Sequence, residues 1–437
     1  MSFKYQAFPG MEDILPGEVE KWQWVEEKAR SLFSAKRFRE IRTPLLEPTE
    51  LFSRAIGETT DIVHKEMYTF QDRGERYMTL RPEMTASVAR AVAEHGLLKT
   101  SPNLALFYIG PMFRAERPQA GRKRQFHQIG AELVNVPDRD PSQGAQGGDL
   151  TILLLINAFL RSVGISRLKF RINDLSLING ENGAQVRARI RDYFESHKAK
   201  LDPDSLYRLD KNVLRIFDSK VPGTKALADA LPWNDVAPPS GHFLELIGKL
   251  SDAGMTVEQD PKLVRGLDYY TGVVFEAASA SLGAQDALAG GGRYDRLYAE
   301  IGAPSVPCTG FSIGMERLLM VLEKNTPSLT EQMKDCRVYL IPIGEGPGSP
   351  EAAYLEEAAL SLRGLGFLPE MAKPSLKLGD QLKRAAKAEV RYVVMAGEKE
   401  LREGLYQVKN MDLNEQKEVK RGELFYHLTQ QQGKTLV

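Results

Sequence analysis

Cysteine is nearly absent. Cys308 and Cys336 are the only two among 437 residues, so no disulfide framework is expected and a reducing compartment suits the chain. Net charge is missing too. The 58 basic and 58 acidic side chains cancel, which removes the whole-molecule attraction to polyanions that a basic protein would have; any nucleic-acid contact must come from a local patch. Long apolar runs are lacking: the longest, residues 150–160, contains Asn157 and falls far short of the roughly 20 residues needed to cross a bilayer. The N-terminal MSFKYQAFPG has neither the basic nor the apolar region of a secretory signal. No spaced pairing of the six histidines with Cys or carboxylate suggests zinc, so no protein-only metal site is expected. The C-terminal GKT at 433–435 lacks the preceding glycine and following helix of a phosphate-binding P-loop. The expectation is a cytoplasmic protein with no membrane contact.

What is present is the composition of a globular protein, 42% apolar and 27% charged, in a chain long enough for two or three domains. Val19, Trp22, Val25, Ala29, Leu32 and Phe33 recur near helical spacing and predict an amphipathic helix, followed by the extended FREIRTPLL. Strand-like pieces at 77–80, 104–113, 125–134 and 272–277 are separated by helical patterns, which suggests one mixed or antiparallel sheet flanked by helices, an α+β domain over 1–325. From about 180 to 248 the pattern turns to charged, helix-favouring sequence broken by prolines, an inserted helical domain. The polar stretch at 326–335 reads as a linker. Beyond it, 336–437 alternates strands at 337–343 and 391–397 with helices around 351–365 and 376–387, a small α/β domain with a largely parallel sheet.

The stretch FYIGPMFRAERPQAGRKRQFHQIGAE, residues 107–132, carries the clearest chemistry. Alternate residues of a strand face opposite ways. Tyr108 and Arg114 therefore share a face on the first strand, as do Phe126, Gln128 and Glu132 on the second; Phe107, Ile109, Phe113, Ile129 and Ala131 take the other, apolar face. The loop at 115–124 sets Arg117, Arg122, Lys123 and Arg124 against Glu116. Arginine forks suit phosphate oxygens and a flat aromatic ring suits a base, so a nucleotide is the natural ligand. A half-exposed hairpin whose polar face merely meets water would alternate in the same way.

Four further segments complete the pattern. LVRGLDYYTGVVFE (263–276) joins Arg265 to Tyr269 and Tyr270 ahead of a β-branched strand; a tyrosine pair is also ordinary packing. GGGRYDRL (290–297) allows close backbone approach beside Tyr294. GFSIGMERLL (310–319) reads as strand, glycine break and helix with Arg317 in the first turn. TLRPEMTA (79–86) puts Pro82 at an expected helix start, leaving Glu83 and Thr85 near the N-terminus of the helix.

Together these peptides resemble the class II aminoacyl-tRNA synthetases: 107–132 is similar to motif 2, 310–319 to motif 3, and FREIRTPLL, with Pro44, to the dimer-forming motif 1. RQFHQ, LVRGLDYYTG and GGGRYD resemble the histidine-specific members. The resemblance implies a class II catalytic domain, a helical insertion and an anticodon-binding-like C-terminal domain. It implies activation of L-histidine with ATP to histidyl-adenylate and pyrophosphate, then transfer to the 3' end of histidine tRNA, by a homodimer using ATP and Mg²⁺. By the same resemblance Arg114 and Arg265 are catalytic, holding the α-phosphate, with Arg265 also on the substrate carboxylate. Phe126 stacks on adenine, Arg317 clamps the outer phosphates, and the loop arginines, including Arg122, reach the outer phosphates or the tRNA acceptor end. Glu83, Thr85, Gln128, Glu132, Tyr269, Tyr270 and Tyr294 form the histidine pocket. Met84 departs from the family's small glycine, a bulk that could crowd that pocket. Segment 138–149 departs as well and has no assigned role.

Two rivals share the fold. A synthetase-like regulatory subunit of the first enzyme of histidine biosynthesis usually lacks the C-terminal domain and degrades the histidine-specific peptides, whereas this chain keeps both. An enzyme for threonine, proline or glycine is opposed by LVRGLDYYTG and GGGRYD.

Overall fold

The computed structural model describes residues 5–58, 60–119, 121–136, 147–179, 183–211, 213–219, 221–264, 266–279, 287–325, 336–344, 348–365, 367–372 and 377–430. Arg265, the expected linker at 326–335 and all but the end of segment 138–149 lie outside them. The chain divides into two compact units, Met1–Asn325 and Thr326–Val437.

The first unit is built on one large sheet. Its strands are β1 (Arg39–Glu40), β5 (Leu104–Phe113), β6 (Gln125–Val134), β7 (Lys169–Asp174), β8 (Val257–Gln259), β9 (Val273–Ala278), β10 (Ala287–Arg293) and β11 (Cys308–Gly314), in the order β1-β5-β6-β11-β10-β9-β7-β8. All pairings are antiparallel except β1 with β5 and β7 with β8 at the two edges. One face is dry. There Phe33, from the helix Val19–Ala35, meets Phe107 and Phe159 at 5.4 Å each and Phe311 at 6.1 Å between ring centres. Phe159 comes from the apolar helix Gly148–Ser162, so two helices cover this side of the sheet. Burial of such aromatic side chains contributes most of the local stability.

One expectation fails. Tyr77–Leu80, here β4, does not join the large sheet. It pairs antiparallel with β2 (Leu46–Pro48) and β3 (Tyr68–Gln71) in a separate three-stranded sheet, order β2-β4-β3. The Thr79 hydroxyl lies 2.8 Å from those of Thr49 and Thr69. Alternation marks a half-buried strand without naming its partner. Leu46, Phe70 and Tyr77 of this sheet, and Leu45 beside it, stay exposed.

The region expected to be helical contains the helices Gly183–Ser196, Pro203–Lys211, Pro222–Asp229 and Gly241–Asp252. Ile190, Phe194, Leu209 and Trp233 lie in one buried cluster with Ile56, Tyr269 and Tyr270. The last helix starts at Ser240, whose Oγ accepts from the Phe243 amide at 3.2 Å, a side-chain cap. It packs on the Gly148–Ser162 helix.

The second unit has strands β12 (Arg337–Pro342), β13 (Leu368–Met371), β14 (Tyr392–Ala396), β15 (Leu405–Asn410) and β16 (Glu415–Lys420), in the order β13-β12-β14-β15-β16. The pairings of β12 with β13 and β14 are parallel, but β14-β15 and β15-β16 are antiparallel. The expected largely parallel sheet is therefore half antiparallel. The hairpin over 405–420 escaped the sequence pattern because LYQVKN and EQKEVK are mostly polar, with β16 exposed except at Val419.

Candidate active site

The opposite face of the large sheet is a floor of small residues. Register sets Gly110 opposite Gln128, Tyr108 opposite Gly130 and Leu106 opposite Glu132; on the next strand Gly310, Ser312 and Gly314 face Glu132, Gly130 and Gln128. The missing side chains are needed. A Cβ on Gly310 would collide with the Glu132 carboxylate, and one on Gly130 with the Tyr108 ring. Both polar side chains consequently lie flat on the sheet beneath a cavity of about 1250 Å³. The alternation read for 107–132 matches this two-faced arrangement, with Leu106 and Met112 as apolar members of the polar side.

At the inner end of the cavity, Glu132 is 1% exposed. It accepts from Thr85 Oγ1 at 2.8 Å, from the Tyr108 hydroxyl at 3.3 Å and from the Tyr294 hydroxyl. Burial pushes its carboxyl up to about 8; the hydroxyl bonds from Tyr294, Thr85 and Tyr108 offset that only in part, and nearby Glu83 adds to it. Glu83 is also buried and raised by burial, while the Thr85 and Ala86 amides, each 2.8 Å from its carboxylate, counter the rise. The Tyr269 hydroxyl is 3.5 Å from Glu83. Tyr269 lies edge-on to Tyr294 at 5.6 Å and 4.7 Å from Tyr270. Gln128 Nε2 donates to Ser312 Oγ at 3.3 Å. This end is therefore an acidic, aromatic pocket suited to a small cationic or hydrogen-bonding group.

Two local expectations change. The helix begins at Thr85 rather than Pro82 (Thr85–Glu94), because the Glu83 carboxylate takes up two amides of its first turn. Met84 does not crowd the pocket. It is 2% exposed, belongs to the apolar core cluster and accepts at its sulfur from the Thr43 hydroxyl at 3.5 Å.

The outer end is cationic. Arg114 Nε donates to the Pro82 carbonyl at 2.9 Å, and its guanidinium carbon lies 5.2 Å from the Phe126 ring centre. Burial lowers its pKa, with Glu66, Glu116 and Glu83 acting the other way; arginine remains charged at neutral pH. Arg122 pairs with Glu116 at 3.3 Å. Arg317, third residue of the helix Met315–Asn325, donates to the carbonyls of Gly121 at 3.1 Å and Ala287 at 2.9 Å. The stretch preceding Arg265 is held by Asn173 Nδ2, which donates to the carbonyls of Pro261 and Leu263 at 3.0 Å each. Glu83, Thr85, Arg114, Arg122, Phe126, Gln128, Tyr269, Tyr270, Tyr294 and Arg317 all line the one cavity, and Glu132 underlies it.

Sequence reasoning passed over several supporting groups. Tyr108 had the right parity but was assigned no role. Asp149, the last residue of the unassigned 138–149 segment, is a fully buried carboxylate 3.0 Å from Arg293 Nε; Arg293 also bonds Asp295 at 3.1 Å, and the Cys308 amide donates to Asp295 at 2.8 Å. This network braces Tyr294 from the side. Nothing in the local sequence pairs 149 with 293.

An antiparallel floor with arginines and an aromatic at one end and a buried polar pocket at the other is the catalytic core of a class II aminoacyl-tRNA synthetase. Comparison narrows this. The family model for histidyl-tRNA synthetase matches residues 10–318, and that for the anticodon binding domain matches 337–431. The histidine–tRNA ligase of Microcystis aeruginosa is 43% identical over 414 residues, covering 94% of this chain and 93% of the relative; that of Syntrophotalea carbinolica is 42% identical, covering 94% of each. The apo crystal structure of S. aureus histidyl-tRNA synthetase superposes with a TM-score of 0.65 at 29% identity, covering 97% of this chain and 99% of that one. The chain belongs to the histidyl-tRNA synthetase family.

Proposed function

We propose that the cavity residues divide the work of a histidine–tRNA ligase between a histidine end and an ATP end. The family activates histidine with ATP and charges it onto tRNA, and this chain is a ligase of that kind. The reading of individual residues is supported most by one observation: the acidic pocket around Glu132 and the arginines around Phe126 open into the same cavity.

In the first step the histidine carboxylate attacks the α-phosphorus of ATP, the bond to the bridging oxygen breaks, and pyrophosphate leaves. The nucleophile is already ionised at neutral pH, so no general base is required. Positioning and charge stabilisation do the work. Arg114 and Arg265 hold the α-phosphate, Arg265 together with Gln128 holds the carboxylate, Phe126 carries adenine, and Arg122 and Arg317 meet the outer phosphates. Glu83 and Thr85 hold the α-amino group. Glu132 and Tyr270 take the imidazole nitrogens, with Tyr269 and Tyr294 enclosing the ring. Buried polar partners of this kind reject analogues lacking those nitrogens. In the second step a hydroxyl of the terminal tRNA ribose attacks the adenylate carbonyl and AMP leaves.

Among the described residues no group of three or more His, Cys, Asp or Glu is arranged to cage a metal. Mg²⁺ would neutralise charge on the outer phosphates and would be held mainly by ATP, with carboxylates of the cavity lining such as Glu66, and Glu276 beside Arg171, completing its shell. Dimerisation is supported by the exposed Leu45, Leu46, Phe70 and Tyr77 around the small sheet that follows Pro44. No helix among the described residues is long and apolar enough to cross a membrane; the cytoplasm, where ATP and tRNA meet, is the proposed compartment. Pyrophosphate exchange measured with each amino acid in turn tests the reading: only histidine should drive it, and exchange driven by another amino acid would overturn it.

A further inference from the structure

β6 has two neighbours, and one of them runs out beside the nucleotide end. The β6–β11 ladder stops at Gln128 opposite Gly314, because at Met315 the chain turns into a helix. The next residue of β6, His127, sits opposite Pro111 on β5 and turns its amide to the β11 side, where no strand residue is paired with it. A side chain continues where β11 ends. The His127 amide donates to both oxygens of Glu316, at 3.0 and 3.1 Å, and His127 Nδ1 lies 3.2 Å from the same carboxylate. Glu316 is 8% exposed, and Trp22 closes the other side of the imidazole edge-on at 4.9 Å.

Glu316 immediately precedes Arg317, and His127 immediately follows Phe126. We propose that Glu316 is a positioning residue for ATP: its carboxylate replaces the missing rung of the sheet and so fixes the distance between the adenine platform on Phe126 and the outer-phosphate arginine, Arg317. The proposal rests on the reading of those two residues as nucleotide contacts. The histidine end does not depend on this bond, since the Gln128 backbone pairs with Gly110 on β5 and its side chain donates to Ser312. An acidic residue in a first helical turn also favours the helix dipole, but that effect predicts a change in stability alone. Bonds from two donors to one buried carboxylate are charge-assisted and geometrically demanding.

Pyrophosphate exchange measured at varied ATP and at varied histidine separates these roles. Glu316→Leu should raise the KM for ATP about tenfold, the order expected for losing one charge-assisted buried bond, with the KM for histidine within about twofold of the parent. Glu316→Gln, which keeps an oxygen for the His127 amide, should restore most of the ATP affinity. Glu316→Asp, with the charge kept but drawn back by one methylene, should raise the ATP KM selectively and serves if the leucine variant does not fold. Phe126→Ala and Arg317→Ala are run beside them. If these two raise the ATP KM while the Glu316 variants do not, the rung is overturned and the nucleotide reading stands. If neither does, the nucleotide reading falls and the proposal with it. Parallel rises in both KM values would also overturn it.

Discussion

Glu132 sits where a charge is least welcome, and its proton is correspondingly hard to remove. Its carboxyl is raised by burial from an ordinary 4.5 to about 8, so the folded protein keeps a proton that the unfolded chain has already released. Stability from this group is full below about 4.5 and is lost as pH rises through about 8. Glu132→Gln should therefore flatten the fall in melting temperature between those two limits relative to the parent, while abolishing histidine-dependent exchange; identical pH profiles of melting would show that Glu132 is ionised in the free protein. At the phosphate, Arg265→Ala should slow adenylate formation by roughly 10² to 10³, the usual effect of losing one preorganised donor. Single-turnover adenylate formation reads this directly, and a near-normal rate would remove Arg265 from the mechanism. That Arg114, Phe126, Gln128 and Glu132 share a face with Tyr108 was legible because strand parity sorts side chains by face. The partners of Tyr108 and Asp149 were not. They lie 24 and 144 residues away, at Glu132 and Arg293, and no local periodicity reports such distances.

At the scale of elements, the polar face depends on β11 presenting small residues, Gly310, Ser312 and Gly314, beside β6. Gly310→Ala would drive a methyl group into the Glu132 carboxylate. The expected result is a destabilisation of about 1–3 kcal/mol by urea unfolding, as for other overpacked interiors, together with loss of histidine-dependent exchange. Unchanged values of both would mean that Glu132 has room to lie elsewhere. The same scale explains the misplaced strand at 77–80: its alternation is genuine, yet it satisfies β2 and β3 instead of the large sheet. Conversely, the glycines of 290–292 act inside β10, where Gly291 passes so close to the Gly310 carbonyl that no side chain fits. Run length and composition could equally have described a turn.

Over the whole molecule, the two units have separate apolar cores. Val338, Leu355, Tyr392 and Val408 belong to a cluster confined to the second unit, whereas the cavity lies wholly in the first. Deleting 336–437 should therefore weaken tRNA charging far more than pyrophosphate exchange, because adenylate formation needs only the cavity. Equal losses in the two assays would argue against a tRNA-binding role for the second unit. By itself the sequence determined the family, the two-faced hairpin and most of the side chains proposed to meet substrate, since these depend on residue type and on neighbours along one strand. Only the tertiary structure decided which sheet each strand joins, that Met84 turns into the core, and that Glu132 is held by hydroxyls from three distant segments. Those outcomes depend on contacts between residues far apart in the chain, where burial and hydrogen-bond satisfaction choose among pairings that the local pattern leaves equal.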